Sequence, residues 1–163
     1  MSGLTAVLRQ TDAANLQRVR AIIRRYGYPG KTLVGSPTNE AAFYVLQHAP
    51  SQAPHLPLIR RAAAQGELPF RLYAMMLDRH RMESQQVQEY GTQAQGYTTT
   101  DPATGRPAQQ AFIWPIRDPA QVNARRRRAG FELTVEQNAQ RLGIKYQVLT
   151  LTQVHRLPGY ASH

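Results

Sequence analysis

Prolines placed just before apolar, helically spaced residues constrain this chain more than any other feature. Proline fixes its own φ near the helical value and lacks the N–H that a helix interior needs, so it suits the first turn and breaks deeper ones. Ser36-Pro37, Pro57, Pro69 and Asp118-Pro119 each stand at such a start. Leu16, Val19, Ile23 and Tyr26 mark an earlier helix that ends near Tyr26, with Gly27 as the residue after its end. Leu4 and Leu8 either extend it upstream or form a separate turn, and Tyr26-Gly27-Tyr28-Pro29-Gly30 is a stiff turn. Ser36 reads as N-cap and Pro37 as first residue of a helix through Phe43 and Leu46, stopping before Pro50, with His48 in its last turn. Pro54 and Pro57 bracket the next start, whose stripe Leu58, Ile59, Ala62 and Ala63 ends at Gly66. Pro69 opens a longer helix with Tyr73, Met76, Leu77 and His80 on one face. Asp78 shares a neighbouring face with Arg71, Met75 and Met82.

From Gln93 the periodicity changes. Tyr97-Thr98-Thr99-Thr100 and Ala111-Phe112-Ile113-Trp114 favour strand, and Asp101-Pro102-Ala103-Thr104-Gly105 between them is turn chemistry. Helix resumes at Asp118-Pro119, read as N-cap and first residue, and stops at Gly130. Thr134-Val135-Glu136-Gln137 fits a capping box for a short helix ended by Gly143, and Tyr146 to Val154 reads as a third strand or an extended tail. The predicted fold is mainly α: a compact single helical domain of five or six helices over residues 1–146, with one β-hairpin at about 93–116. Residues 147–163 are predicted to be a C-terminal extension or edge strand.

With 163 residues, 42% of them hydrophobic, the chain is long enough for a real core. It has no cysteine, which excludes disulfides and cysteine-ligated zinc or iron–sulfur sites. No apolar run reaches the roughly 18 residues that span a bilayer, and the first ten residues turn polar too soon for a signal peptide, so the cytoplasm is the expected location. A net charge of +10 raises nucleic acid as a partner. Yet the arginines are scattered. The run Arg125 to Arg128 turns about 100° per residue on a helix, so at most two of its members face one phosphate backbone.

Several short pieces carry a resemblance: Tyr26-Gly27-Tyr28-Pro29-Gly30, Val34-Gly35, Gln47-His48, Asp78-Arg79, Tyr90-Gly91-Thr92-Gln93, and Pro115 through Asp118-Pro119 to Val122-Asn123 and Arg125-Arg126. In this order and spacing, over about Asp12 to Tyr146, the chain resembles a family of small bacterial proteins catalogued as a domain of unknown function. The resemblance implies a mostly helical fold and no established activity.

Tyr90-Gly91-Thr92-Gln93 is the most suggestive of these pieces. Its glycine permits close backbone approach or positive φ, and Thr92 and Gln93 supply donors and acceptors; the tetrapeptide equally suits a hairpin entry. His48 and Asp78 form a candidate general-base pair, since a carboxylate fixes the imidazole tautomer; Arg81 or Arg71 as partner for Asp78 is the structural alternative. Tyr90 is a candidate proton donor, and Arg125 and Arg126 are candidate grips for an anionic ligand. Asp78 and His80, two apart on a helix, do not converge on one ion, so neither metal nor cofactor is expected. These residues point to a protein that binds an unknown small molecule in a polar pocket of His48, Asp78, Tyr90, Thr92 and Gln93, with general acid–base chemistry as its enzymatic form. The alternative is a basic module that binds nucleic acid or an acidic protein partner through Arg24, Arg25, Arg60, Arg61 and Arg125 to Arg128.

Overall fold

The computed structural model describes residues 2–157 and 160, with side chains from residue 6 onward. The chain divides into two compact units, Met1–Met76 and Leu77–His163. Among the described residues there are eight α-helices and one two-stranded antiparallel hairpin, so the chain is mainly α, with more helices than the five or six expected. The two extra ones, α2 (Lys31–Val34) and α8 (Leu151–Val154), are single turns too short to show a 3.6-residue period.

In the first unit, α1 (Ser2–Tyr26) is continuous, and Gly27 closes it by donating its N–H to the Ile23 carbonyl at 2.9 Å. Leu16, Val19 and Ile23 of α1 pack on a core of Phe43, Leu46, Ile59, Ala62, Leu68, Leu72 and Met76. Those residues come from α3 (Ala41–Gln47), α4 (Leu56–Ala64), the turn after it, and the first half of α5 (Phe70–Glu83). Pro57 and Pro69 stand at helix starts as their chemistry requires. Ser36 does not cap. The Ser36–Pro37 peptide is cis, and a 3-10 turn over Thr38–Glu40 precedes α3. The Asn39 amide, which a serine cap would take, is bonded instead to the Gly35 carbonyl (3.0 Å). The buried face of α5 also differs from the expected one: Leu72, Ala74, Met76 and Asp78 are its fully buried members, so the helix is enclosed on several sides.

The second unit is built on the hairpin of β1 (Ala94–Thr100) and β2 (Pro107–Ile113), in register from Ala94 opposite Ile113 to Thr100 opposite Pro107. Asp101 organises its turn, with its carboxylate accepting from the Ala103 N–H at 2.8 Å. Side chains alternate across a strand, and that alternation divides the apolar residues at the end of β2. Ile113 joins Ile116, Val122, Val135, Ala139 and Ile144, the last four drawn from α6 (Val122–Arg128), α7 (Val135–Arg141) and the turn after α7. Phe112 and Trp114 point the other way, onto Val154, Leu149 and Leu151. No edge strand forms after Tyr146: residues 144–150 lack regular secondary structure and lead into α8, which covers this second cluster. Residues 158, 159 and 161–163 of the expected extension lie outside the described residues.

Two reciprocal caps start the last helices. Thr134 Oγ1 accepts from the Gln137 N–H (3.2 Å) while Gln137 Oε1 accepts from the Thr134 N–H (2.9 Å), and Thr150 and Gln153 repeat the arrangement. Thr134→Ala removes one half of the first box, leaves an amide without its acceptor, and is expected to cost about 1 kcal/mol. Urea unfolding should show this as a lower midpoint at unchanged slope.

Candidate functional site

Asp78, fully buried on α5, organises the loop that carries most of the candidate residues. Its carboxylate accepts from the N–H of Glu89 (2.7 Å), of Tyr90 (3.1 Å) and of Thr92 (3.1 Å), and from the Thr92 hydroxyl (3.0 Å). Four donors around one buried carboxylate fold residues 89–92 into a concave turn of inward-pointing amides. Burial pushes the Asp78 carboxyl up to about 6, against the downward pull of the hydrogen bonds from Glu89, Thr92 and Tyr90. Neither of the arginines weighed as its partner takes that role: Arg71 pairs with Glu40 (3.0 Å) and Arg81 with Glu89 (3.0 Å).

Gly91 makes this turn possible. Its φ is +66°, and a Cβ there would lie 2.7 Å from Val135 Cγ2 and 2.9 Å from Ile116 Cδ1. Left-handed backbone and absent space both select glycine.

A second layer of polar groups joins this loop to the Pro115–Pro119 segment. Gln88 and Ile116 form a short parallel bridge, with the Gln88 N–H on the Pro115 carbonyl and the Arg117 N–H on the Gln88 carbonyl, both at 2.8 Å. The fully buried Gln88 side chain donates to the carbonyls of Trp114 (2.7 Å) and Gln93 (3.0 Å) and accepts from the Gln93 N–H (2.9 Å). Glu89, 5% exposed, is neutralised by Arg81 at 3.0 Å and Arg117 at 2.7 Å. The two sequence pieces that stood out, 90–93 and 115–119, are thus one structural assembly.

Arg125 and Arg126 hold this assembly together from outside. Arg126 is buried and donates to the carbonyls of Leu133 (2.7 Å) and Tyr90 (2.8 Å), with its guanidinium 4.7 Å from the centroid of the Phe131 ring. Arg125 donates to the carbonyls of Glu89 (2.9 Å), Asp118 (3.0 Å) and Arg117. Asp118 does not cap the following helix: it sits at φ +44°, with its carboxylate 3.8 Å from Arg125. Both candidate anion grips are therefore bonded to backbone oxygens of the surrounding loops.

Tyr90, Thr92 and Gln93 are half-buried at the edge of this framework. The Tyr90 ring lies 6.2 Å from that of Phe131, and Thr92 Oγ1, while donating to Asp78, accepts from the Gln93 amide at 3.1 Å. An Asp78–Thr92–Gln93 relay runs from the buried acid to the surface. His48 belongs to the first unit. It ends α3 and lines a groove of about 420 Å³ with Arg9, Asp12, Leu16 and Tyr44. The structure thus brings together Asp78, Tyr90, Thr92, Gln93, Arg125 and Arg126 and does not bring His48 into that network. Gln88 and Glu89 carry no signal of their own in the sequence, because the polar run from Ser84 to Glu89 has the composition of a solvated segment; the adjoining Tyr90-Gly91 is the signal that marks them.

Two experiments test this reading of the loop. Gly91→Ala is expected to lose about 2–4 kcal/mol in urea unfolding, from strain and overpacking together. Gly105→Ala at the hairpin tip, with φ +67° but no atom within 4 Å of the new Cβ, should lose only about 1 kcal/mol. The second concerns pH. A carboxyl that titrates near 6 when folded and near 3.8 when free binds its proton first in the folded chain. Its contribution is complete below about pH 4 and is lost as pH rises through 6. Wild type should therefore gain about 1 kcal/mol from pH 7 to pH 5 relative to Asp78→Asn, which does not titrate. His55, held below its usual pKa by burial and by Arg20, acts in the opposite direction but is common to both proteins. Asp78→Asn itself turns an amide N–H toward four donors and should cost roughly 2–4 kcal/mol at pH 7.

Among the described residues no three His, Asp or Glu side chains group as metal ligands, and no helix is long and apolar enough to cross a membrane. A family model described as a family of unknown function, DUF6624, matches residues 2–147. No curated protein and no solved structure matches the chain.

Proposed function

The chain belongs to the DUF6624 family of unknown function, and within it we propose that this protein binds a small molecule on the 89–93 loop, with general acid–base chemistry as its enzymatic form. One observation carries the reading: four donors fix the loop on the buried Asp78 carboxylate, so the Tyr90 phenol and Gln93 amide sit at its edge on a backbone set in advance. Sites of this kind work by holding first-contact groups rigid through buried support, which lowers the ordering cost of binding. Asp78, Gln88, Glu89, Arg125 and Arg126 are the support. Tyr90 and Gln93 are the groups that meet the ligand, the phenol as proton donor and the amide as reader of a carboxyl or carboxamide. Thr92 transmits the state of the acid to Gln93.

Tyr90→Phe tests this by removing one hydroxyl, while the Tyr90 carbonyl that Arg126 grips and the N–H that Asp78 accepts are both retained. A metabolite library screened against wild type by thermal shift should yield a stabilising ligand. The variant should remain folded and lose that ligand's shift. A variant that loses stability by about 1 kcal/mol or more, with no ligand found for wild type, would retire the small-molecule reading and leave Tyr90 as a structural residue.

A further inference from the structure

The first unit has few acids to balance its bases. Residues 1–76 hold nine Lys and Arg against three Asp and Glu. Among the described residues only one of those nine, Arg71, stands in an ion pair, with Glu40. Along α1, Arg18, Ile22, Arg25 and Tyr26 follow at intervals of four, seven and eight from the first, which places them on one face. All four are exposed, Tyr26 by 57%. The Arg25 guanidinium lies 5.1 Å from the centroid of the Tyr26 ring, so the face carries an aromatic plane with a cation against it. Where this stripe ends, a cleft of about 490 Å³ opens, with Tyr26, Tyr28 and Leu33 on one side, Leu58 and Arg61 of α4 on the other, and Glu67 at its wall.

We propose that this cleft and the stripe leading to it bind single-stranded nucleic acid, with one base taken against Tyr26 and the adjoining phosphates on Arg18, Arg25 and Arg61. An exposed ring beside guanidinium groups is the pairing that single strands use, since every base offers a face for stacking and arginine meets phosphate through two parallel N–H groups. The cleft decides between this and other anionic partners. A duplex keeps its bases inside the stack, and a bilayer surface is flat; neither fills a hollow of this size. An acidic peptide would bring carboxylates toward Glu67. That side chain is held by the Thr32 N–H (2.8 Å) and the Thr32 hydroxyl, which keep it ionised, below the usual carboxylate range. Each of its oxygens retains a further lone pair, an acceptor suited to an exocyclic amino group such as that of cytosine.

Fluorescence anisotropy with the full chain tests the assignment, using labelled 12-nucleotide oligocytidine and oligouridine and a 12-base-pair duplex across a salt series. Single strands are expected to bind more tightly than the duplex, oligocytidine ahead of oligouridine. The dependence on log salt should have a slope near −2, as about three phosphate contacts give. Tyr26→Ala should weaken binding about tenfold or more at unchanged slope, whereas Arg18→Ser with Arg61→Ser should flatten the slope. All three side chains are exposed, and thermal melts of the variants should match wild type. Equal binding of duplex and single strand with no effect of Tyr26→Ala would reduce the face to bulk charge and overturn the proposal. So would uptake by phosphatidylserine vesicles that oligocytidine does not compete away. Displacement of the 12-mer by cytidine monophosphate at equal nucleotide concentration would overturn the strand and assign the cleft to a free nucleotide.

Discussion

A carboxylate taken out of water has to be met by donors, and much of the second unit can be understood from how Asp78 is met. Isolated burial of the charged group would cost several kcal/mol, so the chain must either leave the acid protonated or surround it. Here one stretch of backbone supplies three amides, and the demand for N–H groups from residues 89, 90 and 92 together forces the chain to turn tightly at 91. Once residues 89–92 face inward, their carbonyls face outward and need donors of their own. Arg125 and Arg126 provide them, and this fixes the distance of α6 from the loop.

The same logic accounts for Gln88 and Glu89. Each is a polar side chain deep in the protein, and each is satisfied on every side by groups that arrive from elsewhere in the chain. Gln88 imitates a strand residue, bonding with its side chain to Gln93 and Trp114 as a neighbouring backbone would. Glu89 faces two arginines at once. Networks of this sort hold a unique geometry because a partial rearrangement leaves a buried group unpaired. They add rigidity to the loop that carries Tyr90 and Gln93, which links the packing of the unit to the function proposed for it.

Local chemistry in the sequence was enough to locate most elements. Pro57 and Pro69, the stripe that ends at Tyr26, the Thr134 box and the change of period at Gln93 each act over a short stretch of chain, and each marked its element. Thr150-x-x-Gln153 carries the same box as Thr134, but a four-residue helix offers no periodicity to support it. Ser36 and Asp118 had the right chemistry for capping and do not cap, since backbone carbonyls reach the same amides first. The polar assembly was legible only as fragments. Tyr90-Gly91-Thr92-Gln93 and Arg125-Arg126 drew notice as polar pieces, yet their partners lie up to 36 residues away, and no local pattern states that a guanidinium will bond to a carbonyl at that separation. The pairing of His48 with Asp78 rests on residue type alone, and the carboxylate accepts four donors from its own loop.

The longest basic run in the sequence projects least of its charge. Arg126 lies under Phe131, and Arg125 has its side chain only 17% exposed, so half of Arg125 to Arg128 faces protein oxygens instead of solvent. The isoelectric point that the sequence implies, about 10.7, includes all four guanidinium groups. A polyanionic resin, or any partner approaching from solution, pairs with the guanidinium groups it can touch, and the two inner ones already direct N–H donors at protein carbonyls. Isoelectric point and the charge offered to a partner therefore diverge in this protein, because the count of guanidinium groups includes two that the fold has already engaged.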